Sequence, residues 1–441
     1  MAKITHLPEE LLQKVLAEFM NINRHVAYMV MPLFEVNADD LTTLKAASQT
    51  CRALHDVASP LIWKHLCLTR HDRPGYPTTP QLIALIRLWH ERPQIAAHVH
   101  TLFLSGDLLP YGQQLIKDDD VAFISTVLQE LGLPVSPWHE TFNNLSFITA
   151  LLVLMARNAR VLDLCVGGDF FKCMPSPGET FVRLELLTRF RCHPTTGHSI
   201  ADMDPLLRLA PNLKALGVWP AHLGYGDLDW SGITTLSLTN ADISEAKIVE
   251  VIRSCRGLKE FTFSPDQTKA PNEIIAALSM HASTLRKLDL HFQAEYDDDL
   301  WVGSLAMFTS LEELSIYSGD MGKGGNCTLQ TLPSSLKLLK INGYPYESCE
   351  EIKSLASQIQ TGGYPNLKEV RLPVWECDSD HPGPCRGHYV DEDHGYESGI
   401  DEHGSDWEYL SGDEEEACDG GKTVHDLRAI LLKAGVSCKI R

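Results

Sequence analysis

The sequence predicts an α/β fold: a small all-α unit at the N-terminus, then a solenoid of strand-and-helix repeats with a parallel sheet on its concave side. Three observations carry this. A six-residue apolar pattern recurs over residues 213–372, helical periodicity fills the intervals between its copies, and the first 66 residues show helical periodicity alone.

Size and composition set the limits. At 441 residues, with 44 % apolar and 22 % charged residues, the chain is typical of folded soluble proteins but too long for one ordinary core. No apolar run approaches the roughly 18 to 20 residues that cross a bilayer, and Pro8, Glu9 and Glu10 stand where a signal peptide keeps its apolar stretch. The expectation is a cytoplasmic and/or nuclear protein with no membrane partner. Twelve cysteines without a CxxC fit reduced core residues better than a disulfide framework. Of the net charge of −20, residues 376–419 supply −15, with sixteen Asp or Glu against one Arg, which leaves about −5 for the rest. A nearly neutral body without a basic stripe argues against nucleic-acid binding.

The N-terminal unit, residues 1–66, opens with a helix. Pro8 suits its first turn, Glu9 and Glu10 favour the positive end of its dipole, and Leu11, Val15 and Phe19, flanked by Leu12 and Leu16, form an apolar stripe. A second helix starts after Asp39 and Asp40 with Leu41, Leu44 and Ala47 inward, and a third runs through Cys51, Leu54 and Val57 to stop at Pro60. Residues 20–39 are an inserted segment between the first two helices. Three short helices bury little surface alone, so the stripe needs a partner or a following domain.

Residues 67–375 follow a different rule. LKALGV, ITTLSL, LKEFTF, LRKLDL, LEELSI, LKLLKI and LKEVRL begin at Leu213, Ile233, Leu258, Leu285, Leu311, Leu336 and Leu367, in steps of 20, 25, 27, 26, 25 and 31 residues. This is the period of leucine-rich repeats, in which each unit supplies a short strand and a return segment and buries its apolar face only against neighbours. Less regular copies occur at Val99, Ala159 and Leu187. Between strands, DISEAKIVEVIRSCRGL reads as a helix with Ser244 placed to cap it, and helical patterns at Val121 to Leu131 and Leu145 to Met155 fill the long interval before Ala159. Residues 376–421 are acidic, rich in Gly and Ser and poor in aliphatics, a composition of disorder. Residues 422–441 then return to a helix, TVHDLRAILLKAG, and a closing strand, VSCKIR. The acidic block is thus an insertion within the last repeat.

The N-terminal residues resemble the F-box, in a form similar to that of filamentous fungi: Leu7-Pro8-Glu9-Glu10-Leu11, Val15, Leu16 and Phe19, then Asp40-Leu41, Leu44, Ala47-Ser48, Cys51-Arg52, Leu54 and Leu61 to Trp63. The insertion at 20–39 departs from that family, whose first two helices lie close in sequence. The remainder resembles the leucine-rich-repeat region that follows many F-boxes. The resemblance implies a substrate-recognition subunit: the F-box docks on a Skp-type adaptor, which joins it to a cullin ubiquitin ligase, and the repeats hold a target protein. It implies adaptor contacts from Leu7, Pro8, Leu11, Val15, Leu16, Leu41 and Leu44. The alternatives are an interaction scaffold whose N-terminal helices only cap the solenoid, and an enzyme with a composite site in residues 100–160 or in the acidic block.

On each strand the residues between the aliphatic ones point to the concave face. This nominates Arg189, Arg191, His193, Trp219, Glu260, Lys287, Asp289, His291, Glu313, Tyr317, Lys340, Glu369 and Arg371 for target contact, with Trp219 and Tyr317 as anchors and Arg189 with Arg191 as a local anion site. No catalytic constellation and no cofactor motif accompanies them. DGGKT lacks the first glycine of a phosphate loop, Glu416 standing there; GDMGKGG has the wrong spacing and reads as a flexible turn; HETFN lacks the second His of a zinc protease; GxSxG is missing. Cys377, His381, Cys385 and His388 are zinc-type donors, but their short intervals favour an acidic loop that happens to contain them, and no metal is expected.

Overall fold

In the computed structural model every strand runs parallel to its neighbours, and within each of two compact units, Met1–Gln293 and Ala294–Arg441, the strands lie in sequence order. The structure describes residues 45–68, 79–104, 116–133, 144–166, 170–175, 182–194, 200–219, 221, 229–265, 271–292, 302–322, 327–343, 349–373 and 420–440.

In the first unit helix α1 (Arg52–Lys64) leads into β1 (His65–Cys67), and α2 (Thr79–Glu91) and α3 (Pro93–Ala97) precede β2 (Thr101–Leu104). Helices α4 (Asp118–Glu130) and α5 (Asn144–Met155) precede β3 (Val161–Val166), which is followed by β4 (Arg189–Pro194), α6 (Asp204–Leu209) and β5 (Ala215–Val218). Then come β6 (Thr235–Ala241), α7 (Glu245–Ser254), β7 (Glu260–Pro265), α8 (Pro271–Leu278) and β8 (Lys287–Leu290). The second unit comprises β9 (Glu313–Tyr317), β10 (Leu338–Asn342), α9 (Cys349–Gln360), β11 (Glu369–Leu372), α10 (Gly420–Lys433) and β12 (Ser437–Ile440). This is the order expected of stacked strand-and-crossover repeats.

The register is regular. In the first unit His65, Thr101, Val161, Arg189, Ala215, Thr235, Glu260 and Lys287 form one row across the strands. In the second, Glu313, Leu338, Glu369 and Ser437 do the same. Ahead of each strand the chain donates one repeat back, from Arg160 N to His100 O, Thr188 N to Arg160 O, Lys214 N to Thr188 O, Thr234 N to Lys214 O and Lys259 N to Thr234 O. Side chains repeat the device: the Thr284 hydroxyl donates to Leu258 O at 2.9 Å and the Ser335 hydroxyl to Leu311 O at 2.8 Å. The amides of Asn158, Asn212 and Asn366 donate likewise to Ala97 O, Glu185 O and Ser334 O.

Each repeat then buries the next two rows of its apolar pattern. Leu236, Leu238, Phe261, Phe263, Leu288 and Leu290 are at most 1 % exposed, as are Leu314, Ile316, Leu339 and Ile341. At roughly 1.5 to 3 kcal/mol per fully buried side chain, these rows are the main stabilising term. In the first unit helix α7 buries Ile248, Val249, Val251 and Ile252. Ser244 occupies its N-cap position without a side-chain cap bond. The buried His281 ties two segments together, accepting from Leu258 N at its Nδ1 and facing Ile252 O with its Nε2, a pattern that assigns the neutral tautomer with the proton on Nε2.

Several expectations need adjustment. The third N-terminal helix does not stop at Pro60, which sits inside α1. Proline costs an interior bond, but Leu61 and Ile62 beyond it pack against Leu54, Val57 and Ala58, and this burial carries the helix on. Residue 66, the expected domain boundary, lies within β1, which pairs with β2. The long interval before Ala159 keeps β2 and β3 adjacent, Leu102 opposite Leu162, and places α4 and α5 in one crossover. GDMGKGG begins as a tight 3-10 turn over Ser318–Met321 with Asp320 only 1 % exposed, so this part is no flexible link. Helix α10 starts at Gly420, two residues before the boundary read from sequence, so most of DGGKT forms its first turn. Positions 1–44 and 374–419 lie outside the described residues. So do the adaptor positions Leu7, Pro8, Leu11, Val15, Leu16, Leu41 and Leu44, and the four zinc-type donors. No described helix is long and apolar enough to cross a membrane.

One strand residue makes the fold pH-sensitive. His65 of β1 lies 3.1 Å from the Thr101 hydroxyl, and burial, helped by Lys64 and His100, lowers its pKa to about 4. The unfolded chain takes up this proton near pH 6.5. Between pH 6.5 and about 4 it therefore binds more protons than the folded chain, and stability falls with pH across that window. Thermal melts of His65→Gln should show a shallower loss of Tm from pH 6.5 to 4.5 than the parent; parallel losses would remove His65 as the cause.

Candidate functional site

The face opposite the apolar rows carries every other strand residue, as the pleat dictates. It does not open along its whole length. At β2 and β3, Thr101, Phe103 and Asp163 are 4 %, 9 % and 3 % exposed, so both sides of the sheet are covered there. At β4 the face reaches solvent: Arg189 is exposed, and Arg191, His193 and, just after β5, Trp219 are half-buried.

Arg189, Arg191 and His193 alternate along β4 and so share one side of the strand. Opposite Arg191 stands Gly217 of β5. A Cβ built there would lie 3.2 Å from Arg191 Cγ, so the arginine stem rests across the glycine. On the other side, Asp163 is paired in register with Arg191. Its Oδ1 lies 3.2 Å from His193 Nε2, an ion-pair distance without hydrogen-bond alignment. The buried Asp163 Oδ1 and His193 Nδ1 have no hydrogen-bond partner among the described residues. The Trp219 ring meets the His193 ring edge-on at 5.7 Å and fixes its orientation. Burial lowers the Arg191 pKa; Asp163 opposes this, Arg189 adds to it and Glu260 opposes it.

The second unit treats its charges differently. Arg371 and Lys439 both hydrogen-bond Glu369, and Lys340 Nζ lies 3.8 Å from Glu313. Burial works against the Glu369 carboxylate, but the bonds from Arg371 and Lys439 hold its pKa below the ordinary value. Lys340 is only 6 % exposed. His291, at the end of β8 in the first unit, likewise faces Asp289, at 2.8 Å. By contrast, Arg189, Arg191, Lys287 and Glu260 make no side-chain hydrogen bond or ion pair with described residues. Of the nominated residues, then, the structure groups Arg189, Arg191, His193 and Trp219 in one place. Lys287 lies further along the same unit's sheet, and Tyr317, Lys340 and Arg371 belong to the other unit. Sequence reasoning missed Asp163 and Gly217. The signal was present, because aligning ARVLDL with LTRFRC and LKALGV puts Asp163, Arg191 and Gly217 in one register slot.

Chemically this surface can bind, and Cys165 of β3 stands opposite His193 in register; the core thiols are inert. Burial pushes the Cys192 thiol well up, Cys255 to about 12 and Cys438 to about 11, so all three are protonated near neutral pH. Among the described residues no group of three or more His, Cys, Asp or Glu is arranged to hold a metal ion. Neither a protein-family model nor a curated protein matches the chain.

The contrast between paired and unpaired cations gives a direct test. Arg371→Met should cost about 1 to 3 kcal/mol in equilibrium denaturation, because it removes a charge-assisted bond to the half-buried Glu369. Arg189→Met should leave stability within about 0.5 kcal/mol. Equal effects would mean that the two arginines have the same structural role.

Proposed function

We propose that the chain is the substrate-recognition subunit of a Skp/cullin/F-box ubiquitin ligase. In this reading residues 5–63 dock on a Skp-type adaptor through an apolar helical stripe anchored by Leu7, Pro8, Leu11, Val15 and Leu16, with Leu41 and Leu44 completing the surface. Helix-packing interfaces of this kind draw most of their affinity from a few apolar anchors at helical spacing. The stacked sheet displays the target. Catalysis resides in the partners, and this chain contributes proximity and orientation, which can supply a large part of a rate enhancement.

The observation that carries the proposal is a combination within one chain. An F-box-like order of residues precedes a sheet whose face presents, among the described residues, two arginines without hydrogen-bond or ion-pair partners beside a tryptophan and a histidine. A protein that only captures another protein needs that kind of surface and no more. A second reading keeps the sheet as an interaction surface and makes the N-terminal helices a cap for it; the inserted segment at 20–39, unusual for an F-box, favours this alternative.

Adaptor binding separates the two. Co-expressed with a Skp-type adaptor, the full chain should co-purify in a one-to-one complex, and Leu7→Ala with Pro8→Ala should abolish it while leaving the circular dichroism unchanged. A full chain that folds but does not bind the adaptor would leave the scaffold reading in its place.

A further inference from the structure

The open face over β4 to β7 combines three features. The first is unpaired positive charge. Arg189 and Arg191 lie two apart on β4, and among the described residues neither guanidinium makes a hydrogen bond or ion pair, whereas Arg371, Lys439, Lys340 and His291 all face a carboxylate. A half-buried guanidinium without an acceptor loses hydration and gets little in return, a cost that a bound anion reverses. The second is a floor of small side chains. Ala215, Thr235, Ser237 and Thr262 occupy register positions between β4 and Glu260, with Gly217 seating the Arg191 stem, so an extended chain meets no bulk beyond that stem. The hydroxyls of Thr235, Ser237 and Thr262 make no hydrogen bond with described residues, and a peptide backbone can use them. The third is the wall formed by Trp219 against His193, which offers an aromatic surface beside the arginines.

We propose that this face binds an extended acidic peptide segment of the target protein. One carboxylate side chain is taken by Arg191 and Arg189, the backbone crosses Ser237 beside the Arg191 stem, and an apolar side chain next to the acid rests on Trp219. The charge balance favours a carboxylate over a phosphate. Asp163 and Glu260 flank the two arginines, so the neighbourhood has little net positive charge to offer a dianion, while a monoanion gains a planar, two-pronged partner. Free carboxylates make the same ion pair but leave the hydroxyls and the tryptophan unused. The body's charge of about −5 opposes a polyanion such as nucleic acid. The proposal names the target class for the receptor function and rests on that reading for the word target; the peptide site itself stands or falls separately.

The test uses the full chain without any adaptor, so that its failure and failure of adaptor docking are distinct results. Fluorescence polarisation is read with labelled ten-residue peptides that share one apolar-flanked frame and carry Glu, Gln, Lys or phosphoserine at the centre. The Glu peptide should bind at least about tenfold tighter than the Gln and Lys peptides, the ratio expected for one charge-assisted pair. Arg191→Gln and the exposed Arg189→Gln should each erase most of that preference. Ser237→Trp, which fills the floor, should weaken every peptide, and Lys439→Gln in the other unit should leave peptide binding unchanged, all in chains that remain folded by circular dichroism. Equal binding of Glu and Gln peptides, or a preference that survives Arg189→Gln in a folded chain, would overturn the proposal. A phosphoserine peptide bound tenfold tighter than Glu would overturn the carboxylate assignment, and succinate competing as well as the peptide would overturn the peptide source.

Discussion

Within each unit, the in-register parallel pairing of each strand with the next is the constraint on which the rest of the structure depends. Side chains alternate across a sheet, so a slip of one residue between two repeats would bring charged residues such as Arg191 into the core and expose Phe190 and Cys192. The backbone bonds made ahead of each strand prevent this, with Asn158, Asn212, Asn366, Thr284 and Ser335 reinforcing them. Strand spacing being fixed by hydrogen bonding, variation in repeat length has to be absorbed by the crossovers. That is why the long interval ahead of β3 adds two helices and leaves the register of β2 with β3 intact.

The same constraint creates the binding surface. Once the apolar rows are buried, the alternate positions must form contiguous columns on the other face, whatever their chemistry. Where those columns juxtapose opposite charges, as Glu369 does with Arg371 and Lys439, they stabilise the sheet and have little left to offer a ligand. Where they leave cations without partners above small residues, as between β4 and β7, the surface carries unspent interaction capacity. The proposed recognition function thus shares one face with the structural one, and the two separate by charge pairing, not by residue type.

Much of this was legible in the sequence. The seven phased copies from Leu213 to Leu367 were visible because the aliphatic spacing that identifies a strand also identifies its buried rows, and these became the strands from β5 to β11. The closing helix and strand were visible for the same reason. Strand β1 escaped because His65 to Cys67 follow a helix with no repeat spacing around them. Continuation of α1 through Pro60 depends on packing of Leu61 and Ile62, a tertiary effect that overrides the local rule. Pairing states were the least legible: Arg191 and Arg371 occupy like positions in their motifs, yet among the described residues one makes no hydrogen bond or ion pair and the other is held by Glu369. Only the neighbouring strands determine which. Asp163 was overlooked because its repeat departs from the pattern, and Gly217 because it fills an apparently ordinary strand position.

The proposed function divides the work between two parts of the chain, the N-terminal residues 5–63 for the adaptor and the β4 to β7 face for the target. Hydrogen–deuterium exchange on the full chain, with and without a Skp-type adaptor, tests that division most directly. It predicts slowed exchange confined to residues 5–19 and 41–63, with β4 to β7 unchanged until a target is added. Slowed exchange on β4 to β7 with the adaptor alone, and none at the N-terminus, would contradict it.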